Sequence, residues 1–283
     1  METIRDSRDL RRQLALWQTR ERTVAFVPTL GALHEGHLSL VRLARERADR
    51  VVVSVFVNPT QFGPTEDFAR YPRQPGKDAE MLQAAGCDLL FLPDVDTIYP
   101  PGHVTFVEPG GPAEGLEGAS RPGHVRGVAT VVCGLHNLVR PDVAVFGKKD
   151  GQQVAVVRQM VRDLHIPVEI VAAETLREDD GLALSSRNAY LSREERLAAP
   201  VLYKALLAAG QAIAAGERRG DEVRRAMRGV LESEPLARIE YAEVVDAETF
   251  RPVDTLTGSL VLPLAVRIGG TRLIDNFQMV VGD

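Results

Sequence analysis

Through the first part of the chain, short runs of Val, Ile, Leu and Phe alternate with segments in which apolar residues recur every three or four positions. The runs are TVAFVP (23–28), RVVVSVFV (50–57), DLLFLP (88–93), DVAVFG (142–147) and VEIVAA (168–173). They are nearly continuous in apolar residues, the pattern of strands covered on both faces. HLSLVRLARERA, KDAEMLQAAG, VATVVCGLHNLV and QVAVVRQMVRDL carry the helical spacing between them. Alternating strands and helices predict right-handed crossovers and an open parallel sheet. The fold class is therefore α/β with a Rossmann-like sheet, whose ligands gather off the carboxyl ends of the strands.

The pattern changes near residue 175. A polar loop, LREDDGLALSSRNAYLS, precedes one long Ala/Leu helix (193–215), a second helix (221–233) and the strand-like runs IEYAEVVD, LVLPLAVRI and TRLIDNFQMV. Helices followed by neighbouring strands predict a smaller C-terminal α+β domain. Residues 1–175 form the first domain on this reading and 176–283 the second. The Gly/Pro-rich span 100–124 reads as an ordered loop over the sheet, because the same strand and helix pattern resumes after it.

Composition narrows the class. Of 283 residues, 45% are hydrophobic and 26% charged, as in an ordinary globular protein, and the net charge of -5 argues against a nucleic-acid binder that relies on a basic surface. No run approaches 18 apolar residues, and the N-terminus lacks the apolar core of a signal peptide. No membrane association and a cytoplasmic location are expected. Cys87 and Cys133 sit in apolar surroundings without CxxC spacing, which reads as buried reduced thiols. The chain holds only four lysines (Lys77, Lys148, Lys149 and Lys204), so a lysine beside a glycine turn draws attention.

Five stretches could carry chemistry. In PTLGALHEGH, His34 and His37 stand three apart at the start of a helix and project from one side of its first turn. A zinc site would want HExxH spacing or a further ligand close by, and neither is present. Packing or capping histidines and an anion site remain open; a strand, a Gly31 turn and a helix N-terminus together favour the anion site. NPTQFG places Asn58 and Gln61 after the second strand, as amides able to hold a hydroxyl-bearing substrate, or simply as a turn. EGASRPGHVRG brings Arg121, His124 and Arg126 into one loop, facing either a substrate carboxylate or solvent. FGKKDGQQ offers backbone at Gly147, a point charge at Lys149, and Gln153 one turn into a helix. LALSSRNAYLS sets Ser185, Ser186 and Arg187 ahead of a capping box made by Ser192 and Glu195.

In this order and register, PTLGALHEGH, NPTQFG, EGASRPGH, FGKKDGQQ and DGLALSSRN resemble the pantoate–β-alanine ligase family, nucleotidyltransferases with an HxGH-type signature. The resemblance runs from about residue 20 to RLIDN (272–276). It implies that ATP and pantoate form a pantoyl adenylate, which β-alanine then converts to pantothenate and AMP. By motif, His37 takes the proton-donor position with His34 beside it, and Lys149 and Arg187 complete the catalytic group. Leu30, Gly31, Ala32, Leu33, His34, Glu35, Gly36 and His37 line the ATP site. Gly147, Lys148, Lys149, Asp150, Leu176, Leu184, Ser185, Ser186 and Arg187 are its remaining contacts. Gln61 and Gln153 hold pantoate, with Asn58 and Arg121 among the substrate contacts. Mg²⁺ is implied as a companion of the ATP phosphates, without a protein cage. Asp78 reads as an outer-shell partner of the ion or, more simply, as an exposed helix carboxylate, and the second domain reads as a lid. A homodimer is implied by the family.

This chain departs from the family pattern at four places. Leu30 and Leu184 stand where the family has Met, Lys148 where it has Glu, and Gly151 where it has an aromatic residue. A relative that transfers a nucleotide without an amine step, or a silent nucleotide-binding module, are the rival readings.

Overall fold

The computed structural model describes residues 1–64 and 66–282. It separates into two compact units. The first comprises Met1–Gly110, Arg121–Gly147 and Val156–Ala173; the second comprises Gly111–Ser120, Lys148–Ala155 and Glu174–Asp283. Two stretches that precede residue 175 in sequence thus count with the second unit.

The first unit holds a six-stranded parallel sheet built from β1 (Glu2–Ile4), β2 (Val24–Thr29), β3 (Arg50–Val55), β4 (Leu89–Phe91), β5 (Val143–Gly147) and β6 (Glu169–Ala173), in the order β1-β4-β3-β2-β5-β6. The five apolar runs of the sequence are β2 to β6. β1 lies outside the predicted elements, because three residues are too few for a periodic signal; it pairs with β4 at the edge. The helix Ser7–Gln18 is likewise an addition to the prediction. Asp6 caps it by accepting from Arg8 N, and Leu10, Leu14 and Trp17 form its buried stripe.

One sheet face packs Ala25, Val27, Val51, Val53 and Val145 against Leu40, Val41 and Ala44 of the helix Glu35–Arg47. A fully buried Val or Leu contributes roughly 1.5–3 kcal/mol, so this apolar layer fixes the register of the sheet. On the other face, Phe26 and Phe146 meet His136 edge-on at centroid distances of 6.1 and 6.3 Å. Strand order reverses direction at β2, which pairs with β3 on one side and β5 on the other. That is a topological switch point, where a crevice opens off the carboxyl ends.

In the second unit, β7 (Ala237–Ala242), β9 (Gly258–Ile268) and β10 (Thr271–Val281) form an antiparallel sheet in the order β10-β9-β7, and β8 (Val245–Asp246) pairs with β9. The single long helix expected over 193–215 is two helices, Arg193–Ala198 and Val201–Ala214, separated at Ala199 and Pro200. Proline lacks the N–H that would carry the ladder through, and it clashes with the preceding turn. The segment Arg193–Ala214 is long and apolar enough by composition to cross a membrane. Its apolar face, with Leu202, Ala205, Leu206, Ala209 and Ile213, is buried in the core of the unit against Val223, Met227 and Leu231. Ser192 and Glu195 make the expected capping box.

Both cysteines are free. Cys87 is buried, and burial pushes its thiol up to about 12. Cys133 is half-buried rather than buried, since it sits on a helix flank beside Asn137.

Candidate active site

Three of the sequence motifs leave the carboxyl ends of β2, β3 and β5, which are neighbours across the switch point. The first, after β2, is a loop knit by its own amides. Thr29 Oγ1 donates to Ser54 O at 2.8 Å and accepts from Gly31 N at 3.2 Å. Gly31 has φ +84°, and a Cβ there would lie 2.9 Å from Val55 and 3.0 Å from Asp78, so only glycine fits. Asp78 accepts from Ala32 N at 3.0 Å and Leu33 N at 2.9 Å. This corrects the reading of Asp78 as an exposed carboxylate: it is 1% exposed and serves as the anchor of the loop. Burial raises its pKa, and the two N–H bonds and Lys77 offset this only in part.

His34 is the N-cap of the helix Glu35–Arg47. Its Nδ1 accepts from Gly36 N at 3.1 Å, while His37 Nδ1 accepts from His34 N at 3.3 Å, and the two rings lie 4.1 Å apart. Both Nδ1 atoms act as acceptors, so in each neutral ring the proton resides on Nε2. The capping role and the anion role are therefore compatible, because capping selects the tautomer that donates away from the helix. The Glu35 carboxylate turns to Arg42 instead.

After β3, Asn58 caps the short turn Pro59–Gln61, in line with the turn reading, yet its amide does more. Asn58 Oδ1 accepts from Tyr99 Oη at 2.8 Å and from Thr60 Oγ1 at 3.0 Å. Its Nδ2 donates to Gly127 O at 3.1 Å and to Gln61 Oε1 at 3.0 Å. The Gln61 side chain is thereby left with its Nε2 donors to offer a ligand. Arg121, expected among the substrate contacts, donates through Nε and Nη2 to the Glu66 carboxylate at 2.7 and 2.6 Å. Arg126 pairs with Glu108 at 2.9 Å and lies 3.9 Å over the Phe106 ring. β5 ends at Gly147, in register with Ala173.

The remaining predicted residues belong to the second unit. Lys148, Lys149 and Asp150 form one short turn. Asn276 Nδ2 donates to both Lys148 O and Lys149 O at 2.8 Å, which ties the turn to β10. Gly151 makes room for this, since a Cβ there would lie 3.3 Å from Asn276 Nδ2. The Lys148 ammonium meets Glu174, so the two lysines diverge in partner: Lys149 Nζ lies 3.7 Å from Asp150. Gln153 is half-buried one turn into the helix Gly151–Asp163. Leu176 O accepts from Leu184 N at 2.9 Å, which closes the loop bearing the serines. Ser185 caps the turn Ser186–Tyr190 by accepting from Arg187 N at 3.3 Å. The base of this loop is held by Arg177, whose guanidinium grips the Asp275 carboxylate at 2.5 and 3.0 Å.

Several supporting residues lie outside the sequence motifs. Tyr99 stands 41 positions from Asn58, Glu66 stands 55 from Arg121, and Arg177 stands 98 from Asp275. No local pattern marks partners so far apart. Among the described residues, no group of three His, Cys, Asp or Glu side chains is placed to hold a metal ion.

Comparison with known proteins places this arrangement. Residues 2–278 match the Pantoate-beta-alanine ligase family. The pantothenate synthetase of Chloroflexus aggregans is 57% identical over 259 residues, covering 91% of this chain and 93% of that protein. That of Moorella thermoacetica is 50% identical over the full length of both. The crystal structure of pantothenate synthetase from Thermus thermophilus superposes with a TM-score of 0.93 at 49% identity, covering all of both chains. A pantoate-beta-alanine ligase from Francisella tularensis, complexed with beta-gamma ATP and beta-alanine, gives a TM-score of 0.78 at 33% identity over 98% of this chain and 97% of that one. The protein is an enzyme of the ligase class. The chain belongs to the pantoate–beta-alanine ligase family.

Proposed function

We propose that this enzyme condenses pantoate with β-alanine at the expense of ATP, giving pantothenate, AMP and pyrophosphate through a bound pantoyl adenylate. The observation that carries the reading is the histidine pair: two Nε2–H imidazoles and a helix N-terminus sit off the carboxyl end of β2, at the switch point of the sheet. Such a constellation suits a phosphate chain on which charge builds.

In the first step a pantoate carboxylate oxygen attacks the α-phosphorus and pyrophosphate leaves. Phosphoryl chemistry of this kind needs little covalent help and much charge neutralisation. Lys149 and Arg187 supply it, His34 and His37 add Nε2–H hydrogen bonds to the phosphate oxygens, and the loop from Leu30 to Leu33 makes room for the nucleotide. Gln61 presents its amide N–H groups to pantoate oxygens, and Gln153 joins it. In the second step the β-alanine amine attacks the acyl carbon, the acyl–oxygen bond breaks, and AMP leaves with the oxygen that pantoate contributed. Arg121, braced by Glu66, stands with Asn58 among the substrate contacts. Mg²⁺ would accompany the triphosphate and add positive charge there, while Asp78 is committed to two backbone amides. The second unit acts as a lid, and the enzyme works as a cytoplasmic homodimer.

The test uses pantoate labelled with ¹⁸O in its carboxylate. Transfer of one label to AMP, with pyrophosphate release that requires pantoate, is expected. Release of ADP and phosphate, or unlabelled AMP, would overturn the adenylate. A stable nucleotidyl product would favour the transferase relative, and ATP binding without turnover the silent module.

A further inference from the structure

We propose that His124 is a positioning residue for the acid substrate: as the neutral Nδ1–H tautomer it clamps the main chain of Gln61, while Asn58 clamps the Gln61 side chain. The inference rests on the assignment of Gln61 to pantoate made above.

Hydrogen-bond chemistry fixes the arrangement. His124 Nδ1 lies 2.8 Å from Gln61 O, an acceptor only, so Nδ1 must carry a proton. His124 Nε2 lies 2.9 Å from Arg121 Nη1, a donor only, so Nε2 must be bare. The ring is thereby neutral and in one tautomer. Arg121 cannot turn away to release it, because two further nitrogens of the guanidinium hold the Glu66 carboxylate in a fork. Glu66 stays ionised: burial raises its pKa, but the bonds and charge of Arg121 bring it below the ordinary value.

The other side of Gln61 is fixed by the same logic. Asn58 is fully buried, and its amide cannot flip, since Tyr99 and Thr60 donate to its oxygen while Gly127 O accepts from its nitrogen. Asn58 therefore donates to Gln61 Oε1. Gln61 is held at its carbonyl by His124 and at its side-chain oxygen by Asn58, and presents only Nε2–H groups. A hydroxyl or carboxylate oxygen is the partner this suits. His124 touches no reacting atom in this scheme; it sets where Gln61 stands.

Two measurements test this. In wild-type protein, ¹⁵N imidazole shifts of His124 should report a protonated Nδ1 and a bare Nε2; the opposite tautomer would overturn the proposal without any variant. In steady-state kinetics, His124→Phe should raise KM for pantoate about tenfold, the size of one lost buried hydrogen bond, with KM for ATP unchanged. His124→Asn keeps a donor near the Nδ1 position and should recover most of that loss. A parallel rise in both KM values, or no recovery in His124→Asn, would show that His124 merely supports the fold. Gln61→Ala separates the two layers of argument. If it raises KM for pantoate while His124→Phe does not, His124 alone is misassigned; if it leaves KM unchanged, the assignment of Gln61 fails first.

Discussion

The Asp78 carboxylate accepts the main-chain N–H of Leu33 at 2.9 Å from inside the core, across 45 positions of sequence. Together with its bond to Ala32, this holds a loop in which Gly31 and Ala32 both adopt positive φ. A non-glycine residue at φ +51° is held there against its own preference, so the anchor matters.

Asp78→Ala should therefore act on the nucleotide side. Two buried amides lose their acceptor, at about 1–3 kcal/mol each if left unpaired. Thermal unfolding should show a lower Tm, and KM for ATP should rise about tenfold or more while KM for β-alanine changes little. An unchanged KM for ATP in folded protein would show that the loop keeps its form without Asp78.

The two adjacent lysines should separate in their effects. Lys148 reaches Glu174, whose side chain is 81% exposed, and exposed pairs contribute about 0–1 kcal/mol. Lys148→Ala should alter kcat/KM for ATP by less than about threefold. Lys149→Ala should lower kcat by about a hundredfold, the typical loss of one charge-stabilising donor in a transition state. Pyrophosphate release measured side by side decides the point, and equal losses would mean that Lys148 also serves the phosphates.

The sheet was legible because β2 to β5 are buried within the unit and wrote that burial into continuous apolar runs, while the edge strand β6 kept the apolar run although only Ala173 of it is buried. Three of the five site motifs were legible in place because they directly follow β2, β3 and β5. The burial of Asp78 was not, since one carboxylate on a helix carries no sign of the distant amides that it meets. The fate of Lys148 was likewise hidden: its partner Glu174 lies 26 positions on, just beyond β6. Pairwise partners at such separations depend on strand order, which hydrophobic pattern alone leaves unspecified.

An ionic knot around the buried Glu117 carboxylate in the second unit predicts stability more than activity. Arg272 donates to Glu117 at 2.6 and 3.1 Å and to Glu240 at 2.8 Å, and Tyr241 Oη donates to Glu117 at 2.7 Å. Removing one partner leaves a buried charge, which costs about 3–5 kcal/mol. Arg272→Met should thus lose about that much in urea unfolding, and Glu117→Gln less, since the amide still accepts. If Arg272→Met were as stable as wild type, the knot would be replaceable by packing.

His136 makes the last prediction, and it concerns pH. It is 1% exposed, its two ring nitrogens have no hydrogen-bond partner among the described residues, and it packs against Phe26 and Phe146. Burial lowers its pKa from 6.5 to about 4. Between those values the unfolded chain binds a proton that the folded chain refuses, so stability is fully present above pH 6.5 and is lost as pH falls toward 4. A shift of this size corresponds to about 3 kcal/mol. Carboxylates titrate over part of the same range, so the informative quantity is a difference between proteins. His136→Leu removes the titrating group while it keeps an apolar side chain between the two aromatic rings. Urea unfolding at about pH 7 and about pH 4.5 should show a smaller loss on acidification in the variant, by about 2–3 kcal/mol. Identical pH dependence in the two proteins would mean that His136 finds a partner or water once it is protonated.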